Sequence, residues 1–222
     1  MNDSNQDYSN NKEIKLTSEQ TDILKELGNI GSGNAITALS QLLNRRIEIS
    51  LTSIDIVPFW KLPYLLGAED LEVFGILSKI KGKNDIRLLQ IYPKISVIRI
   101  INSLTEFKKE NADKIRVAED LNDFSISIIL EIGNILAGHY LSALANLLSI
   151  KLIPDVPDLA LDNITALTNC IIAKYSQKLD FTITIETTLK IEELELDGIL
   201  CFVPSIETVD RFLKVISAKF NI

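Results

Sequence analysis

The sequence predicts an α+β fold in which two related halves share one antiparallel sheet flanked by long helices. First, residues 24–43 and 129–148 align at a constant shift of 105 with nine identities in twenty positions. Unrelated sequences would share about one or two. Second, each half ends in a similar strand, proline and helix start, LLQIYPKI at 88–95 and ILCFVPSI at 199–206. Two such units would pair through their sheets about a pseudo-twofold axis, with helices covering the sheet.

The first predicted repeat spans residues 16–107, after an Asn- and Ser-rich segment, 1–15, that is predicted to be a disordered tail. Thr17 followed by Gln20 is a capping-box pattern and starts a long helix. Prolines end the next strand, a Gly-Lys-Asn-Asp turn favours a hairpin, and a proline opens the last helix. The predicted elements are a helix over about 18–44, a strand over 44–57, a hairpin over 73–80 and 86–92, and a helix from Pro93 to about 107.

The second predicted repeat spans residues 120–222 and follows a charged surface connection, 108–119. It repeats the order of the first half but adds a helix where the first half has little. Its predicted elements are a helix over about 120–149, a short strand over 151–153, a helix over 161–175, a strand pair over 181–191 and 198–204, and a helix over 206–219.

The aligned helices carry two polar stripes. At about 100° per residue, polar residues four and three positions apart share one face of a helix, and Ile23, Leu27 and Ile30 are expected roughly opposite. The stripes are therefore expected to face outward. Stripe 1 is Asp22, Glu26, Asn29 and Gly33, and stripe 2 is Ser127, Glu131, Asn134 and Gly138.

Glycines accompany both stripes. A glycine inside a helix costs about 1 kcal/mol relative to alanine. Gly33 and Gly138 leave the surface low beside the Asn and Glu side chains, so that another backbone could approach them. Gly28 and Gly133 are also matched between the copies, and the sequence suggests no packing role for them.

Composition excludes several classes of function. The net charge is -7 and the pI about 4.9, without a Lys/Arg cluster, so neither nucleic acid nor an anionic membrane is an expected partner. The chain lacks eighteen consecutive apolar residues and a signal-like N-terminus, which predicts a cytoplasmic protein without membrane insertion. Cys170 and Cys201 are predicted to be buried hydrophobes, and a single histidine, His139, leaves no expected metal site.

Simpler interpretations of the same residues are open. One Glu-x2-Asn pair is usually part of a solvated helix face, and only its repetition at a fixed shift favours a functional site. GNIGSG at 28–33 resembles a phosphate loop but lacks a preceding strand and a Lys-Ser/Thr ending, so nucleotide binding is disfavoured. Asp22 and Ser127 could be helix-surface residues. Trp60, between two prolines, is predicted to close the edge of the core.

ELGNIGSGNA and EIGNILAGHYLSALA, on helices that carry (Asp/Ser)-x3-Glu-x2-Asn, resemble the CheC family of chemotaxis phosphatases, which includes CheX and FliY relatives. The resemblance implies hydrolysis of the aspartyl phosphate of the response regulator CheY. It implies that Asn29 and Asn134 position the attacking water and that Glu26 and Glu131 pair with the regulator's lysine. It implies no cofactor in this chain, since Mg²⁺ belongs to the regulator's active site.

The family pattern also has a proline with 22 residues between it and the Asn. Pro157 fits this position in the second copy, whereas Thr52 occupies it in the first. The resemblance implies the receptor deamidase CheD as a second partner, through VPDLALDNITAL with Asp162, although Asp162 could instead cap a helix. A flagellar-switch relative would carry a further C-terminal domain, so that role is disfavoured. The alternative function is a non-catalytic protein that sequesters phosphorylated CheY or CheD.

Overall fold

The computed structural model describes residues 16–68, 70–81, 86–105, 109–175, 181–203 and 206–221. The predicted tail, 1–15, and the hairpin turn, 82–85, lie outside these ranges. The helices are α1 (Ser18–Leu43), α2 (Leu62–Leu65), α3 (Lys94–Leu104), α4 (Asp123–Leu148), α5 (Ile164–Tyr175) and α6 (Ile206–Phe220). The strands are β1 (Ile47–Pro58), β2 (Glu72–Lys81), β3 (Arg87–Pro93), β4 (Ile153–Pro154), β5 (Asp158–Asn163), β6 (Phe181–Ile191) and β7 (Leu194–Val203).

The strands form one antiparallel sheet, which confirms the predicted α+β class. Its order is β1-β6-β7-β3-β2, and β4 and β5 both pair with the free edge of β2. The hairpins β2-β3 and β6-β7 meet at the centre through β3 and β7. Each hairpin is flanked by an outer strand from the other half of the chain, because β1 pairs with β6 and β5 pairs with β2. The two halves are thus interleaved.

The alignment of LLQIYPKI with ILCFVPSI is one residue out of structural register. It would equate Leu89 with Leu200. Leu89 and Cys201 belong to the core under α5, whereas Leu200, on the other face of the sheet, belongs to the core under the long helices. Because strand side chains alternate between faces, a shift of one residue exchanges the two cores.

The sheet separates two cores of unequal size. The larger core lies between the sheet and helices α1, α3, α4 and α6, and the smaller lies under α2 and α5. Phe59, only 2% exposed, fills the smaller core, whereas Trp60 is 59% exposed and contacts Tyr64 edge to face. The prediction for Trp60 was wrong because its neighbour in the chain takes the buried position.

Two further burial predictions were wrong. Cys170 is exposed on α5, and only Cys201 is buried. The charged connection also contributes to the core, because Ile115 and Ala118 are buried. These two apolar side chains lie among charged neighbours in the sequence, so the high charge of the segment concealed their burial.

The ends of the two long helices match closely. The capping box predicted for α1 is confirmed, since Thr17 Oγ1 accepts from the Gln20 amide at 3.2 Å and Gln20 Oε1 accepts from the Thr17 amide at 3.0 Å. In α4, Asn122 caps the Ser125 amide at 3.0 Å. Asn44 and Ser149 end the helices with φ of 50° and 54°, and they are separated by the same shift of 105 as the stripes.

The segment predicted as a helix from residue 161 begins as a strand. Residues Asp158–Asn163 form β5, in which Asp162 pairs with Val73 of β2. The helix α5 starts at Ile164, and Asn163 Oδ1 accepts from the Thr165 amide at 2.8 Å. Asn163 is therefore the cap, and Asp162 is not, because pairing with the sheet edge extends the strand past it.

Helices α1 and α4 pack against each other and run antiparallel. Near the end of α6, Ser217 Oγ accepts a hydrogen bond from Gln20 at the start of α1, and Lys219 donates to the Leu147 carbonyl at the end of α4. Midway, Ser32 and Tyr140 hydrogen bond across the buried contact at 2.7 Å. Among the described residues, α4 is the one helix long and apolar enough to span a membrane, and 44% of its apolar window is buried in the fold.

Candidate functional site

Stripe 1 lies on the outer face of α1. Asp22, Glu26, Asn29 and Gly33 are all exposed, while Leu24, Gly28, Ala35 and Leu39 form the buried side of the same helix. Ile30 was expected on the buried side, yet it is 48% exposed. It is about 40° around the helix from Glu26, which places it at the border of the stripe.

Stripe 2 lies on the outer face of α4 in the same order. Ser127 and Glu131 are exposed, whereas Asn134 and Gly138 are half-buried. Phe124, one turn before Ser127, is 47% exposed on this face. Within the described residues, the Glu and Asn side chains of both stripes make no hydrogen bond or ion pair, which leaves them available to a partner.

The four matched glycines serve two different purposes. Gly28 and Gly133 are buried against the sheet: a Cβ on Gly28 would overlap Leu51 Cδ1, and one on Gly133 would lie 2.7 Å from Ile76 Cδ1. They therefore do have a packing role, because they let each helix approach the sheet closely.

Gly33 and Gly138 are different. A Cβ at either position would meet nothing within 4 Å, so packing within the described chain does not require glycine there. Each lies one turn beyond the Asn of its stripe, as expected from the helix periodicity, and keeps the helix surface low beside it. This leaves room for an incoming chain next to the carboxamide.

A polar contact that sequence reasoning missed lies beneath stripe 2. Gln90, in β3, is fully buried, and its Nε2 donates to the Gly133 carbonyl at 3.0 Å. Its Oε1 accepts from the Tyr92 hydroxyl at 2.9 Å. Burial raises the pKa of Tyr92, which keeps this hydroxyl protonated as a donor. The signal in the sequence was a single Gln within the apolar run LLQIY.

The motif proline and its replacement lie in different local structures. Pro157 is half-buried between β4 and β5, in a segment tied to β2 by the hydrogen bond from the Asp155 amide to the Lys79 carbonyl at 2.7 Å. Thr52 is exposed at a bulge of the edge strand β1, where the register shifts between Leu51 and Ser53. The two positions that align with the motif proline therefore differ in local structure and exposure.

Two other candidate positions can be placed. Asp162 is exposed on β5, and its Oδ1 accepts from the Asn163 amide at 2.7 Å. His139 is half-buried on α4 beside Gly138. Among the described residues, no three His, Cys, Asp or Glu side chains are grouped as a metal site would require.

Comparison with known proteins bears on both stripes. The model of the CheC-like family matches residues 19–50 and 124–161, the two segments that carry the stripes. The chain is 35% identical over 139 residues to the CheY-P phosphatase CheC of Bacillus subtilis. The chain is thus similar to the CheC-like family in the two segments that carry the stripes. The alignment with the relative covers 63% of this chain and 65% of the relative's length.

Two solved structures match the fold of this chain over most of its length. Thermotoga maritima FliY matches with a TM-score of 0.66 at 20% identity, covering 92% of this chain and 98% of that one. FliM in a FliG–FliM complex from H. pylori matches with a TM-score of 0.64 at 15% identity, covering 90% and 100%. At these identities the likeness concerns the fold, which is shared by proteins of different roles.

Proposed function

We propose that this CheC-like chain is a phosphatase that hydrolyses the aspartyl phosphate of a CheY-type response regulator. The observation that carries the proposal is the pair of Glu-x2-Asn stripes on the outer faces of α1 and α4, in the two segments that the family model matches. The similarity to the B. subtilis CheY-P phosphatase supports this substrate class. Both the regulator and this protein would then act in the cytoplasm.

The chemistry requires little from this chain beyond positioning. An aspartyl phosphate with its own Mg²⁺ in the regulator mainly lacks an oriented nucleophile. The Asn29 or Asn134 carboxamide would accept a hydrogen bond from a water and hold it in line with the phosphorus. Glu26 or Glu131 would pair with the regulator's lysine and fix the orientation of the inserted helix. Orientation alone can supply several kcal/mol, about 7 to 11 in favourable cases.

The rigid location of the residues supports this mechanism. Glu and Asn lie three residues apart on continuous helices that pack on the sheet, so their relative position is fixed by the backbone. Gly33 and Gly138 leave space beside each Asn for the regulator's backbone. Thr52 at the β1 bulge leads us to propose that the second site contributes more of the turnover.

The test is the rate of phosphate release from a phosphorylated regulator with Mg²⁺ present. Asn134→Ala should slow catalysed release at least tenfold if the second site dominates, and the Asn29→Ala, Asn134→Ala double variant should abolish it. Asn146→Ala is a matched control, because this amide is exposed on α4 outside the stripe. Release by the double variant at the parent rate would disprove the assigned positions.

The same assay separates catalysis from sequestration. A protein that only binds the phosphorylated regulator would give no release above the regulator's own rate. It would still retain the regulator in a pull-down with the double Asn variant. That combination would replace the phosphatase proposal with the binding function.

CheD is a second proposed partner, at the β5-α5 segment. Its support is the resemblance of residues 156–167 to the family's CheD-binding region and the exposure of Asp162. Asp162→Asn should weaken co-purification of CheD and leave phosphate release unchanged in its absence. Equal CheD binding by this variant would remove Asp162 from the proposal.

A further inference from the structure

The turn of α4 that carries Asn134 is attached to the sheet by a buried hydrogen bond. Gln90 Nε2 donates to the Gly133 carbonyl at 3.0 Å, and Gly133 directly precedes Asn134. This carbonyl lies within a continuous helix, so the Gln90 amide is a donor in addition to those of the helix itself. Gln90 Oε1 accepts a hydrogen bond from the Tyr92 hydroxyl at 2.9 Å.

The contact is also closely packed. A Cβ on Gly133 would lie 3.3 Å from Gln90 Nε2 and 2.7 Å from Ile76 Cδ1, so the absence of a side chain is what allows the amide to reach the helix backbone. A buried hydrogen-bonded side-chain network fixes the groups it joins more firmly than apolar contact alone. These contacts fix how closely α4 approaches the sheet at this turn and how the turn is rotated about the helix axis.

Among the described residues, the matching turn of α1 has no such attachment to the sheet. Gly28 lies over the apolar side chains of Leu51 and Ile54, beside a cavity of about 30 Å³ that is lined by Phe202 of β7. Within the described residues, no side chain donates a hydrogen bond to the Gly28 carbonyl. Apolar contact is non-directional, so it restrains this turn less.

We propose that Gln90 is a positioning residue for stripe 2, which preorganises Asn134 while stripe 1 remains less restrained. This deepens the proposed function and rests on it for the catalytic consequence. A misplacement of about 1 Å in a positioning group can cost about a hundredfold in rate. Loss of the hydrogen bond should therefore affect the turnover number of the second site much more than its affinity for the regulator.

The test places Gln90→Leu in two single-site backgrounds. With Asn29→Ala, only stripe 2 is intact, and Gln90→Leu should lower kcat about tenfold with KM changed less than twofold. With Asn134→Ala, only stripe 1 is intact, and the same substitution should change kcat less than twofold. Leu88→Val is the matched control, since Leu88 is a buried residue of the same strand and core.

The kinetic outcomes are distinct. Equal losses in the two backgrounds would mean that Gln90 supports the whole fold, and no loss in the Asn29→Ala background would remove its positioning role. Leu88→Val should lower stability without favouring either background. If Leu88→Val reproduced the selective loss at stripe 2, general core loosening would replace the hydrogen bond as the cause.

Hydrogen–deuterium exchange tests the attachment without any enzyme assay. Amides in a peptide covering 129–141 should exchange about tenfold faster in Gln90→Leu than in the parent, while those covering 24–36 should change less than twofold. Unchanged exchange over 129–141 would overturn the inference even if phosphatase activity is found. The expected exchange pattern together with an inactive parent would instead leave the attachment established and contradict the proposed function.

Discussion

Gly138→Ala should raise folding stability and lower phosphatase activity. A Cβ at this position meets nothing within 4 Å, so the substitution introduces no clash in the described chain. Replacing an interior helix glycine with alanine gains about 1 kcal/mol, which corresponds to a rise in Tm of about 2–4 °C for a domain of this size. We therefore expect the variant to be more stable than the parent.

Activity should fall despite this gain. If a regulator backbone passes over Gly138, the added methyl group overpacks that contact, which typically costs about 1–3 kcal/mol. At 1.4 kcal/mol for each factor of ten, kcat/KM at stripe 2 should fall about 5- to 150-fold. The loss should be measured in the Asn29→Ala background, where stripe 1 makes no contribution.

The assays are urea unfolding followed by circular dichroism and phosphate release from the regulator. Gly28→Ala is the contrasting control, because its Cβ would overlap Leu51 Cδ1 and should lower stability. If Gly138→Ala is more stable and retains kcat/KM within twofold of its background, no partner backbone approaches there. That result would refute the explanation of this glycine.

Two further predictions concern stability. Thr17→Ala removes the acceptor for the Gln20 amide and should cost about 0.5–2 kcal/mol in urea unfolding, whereas Thr52→Ala, at an exposed position, should cost less. Backbone amides of Arg116 and Val117 donate to the Asp120 carboxylate and lower its pKa. The contribution of Asp120 to folding stability is therefore present above the unfolded pKa and is lost as pH falls through the folded pKa. Asp120→Asn should therefore lower the urea midpoint at pH 7 and reduce its change between pH 7 and pH 3, and an unchanged acid limb would contradict this assignment.

The helices and strands were predicted well from local sequence signals, because each signal depends on only a few neighbouring residues. The capping box at Thr17 and the proline Pro93 at the end of β3 act through neighbouring residues, so the helix and strand ends there fall close to their predicted positions. The outward direction of the Glu and Asn side chains followed from helix periodicity. Ile30 shows the limit of that argument, because a residue 40° from a polar stripe can be exposed.

Tertiary pairing explains what could not be predicted. The sequence offered Asp162 as a possible helix cap, but pairing with Val73 extends β5 past this residue. The choice between Phe59 and Trp60 for the smaller core depends on which side chain the turn after β1 directs inward. Gln90 appeared only as a polar residue in an apolar strand, since its partner, the Gly133 carbonyl, is 43 residues away.

The interleaved sheet has a consequence for how such a chain could arise and fold. With β1 paired to β6 and β5 paired to β2, a chain cut at residue 108 would expose the edges of both hairpins. A half-length ancestor would thus have needed a second copy to complete its sheet, each donating its outer strand to the other. Fusion of the genes would turn that exchange between molecules into strand pairings within one chain. The paired residues are 81 to 144 positions apart, and such pairings form slowly because long loops must close first.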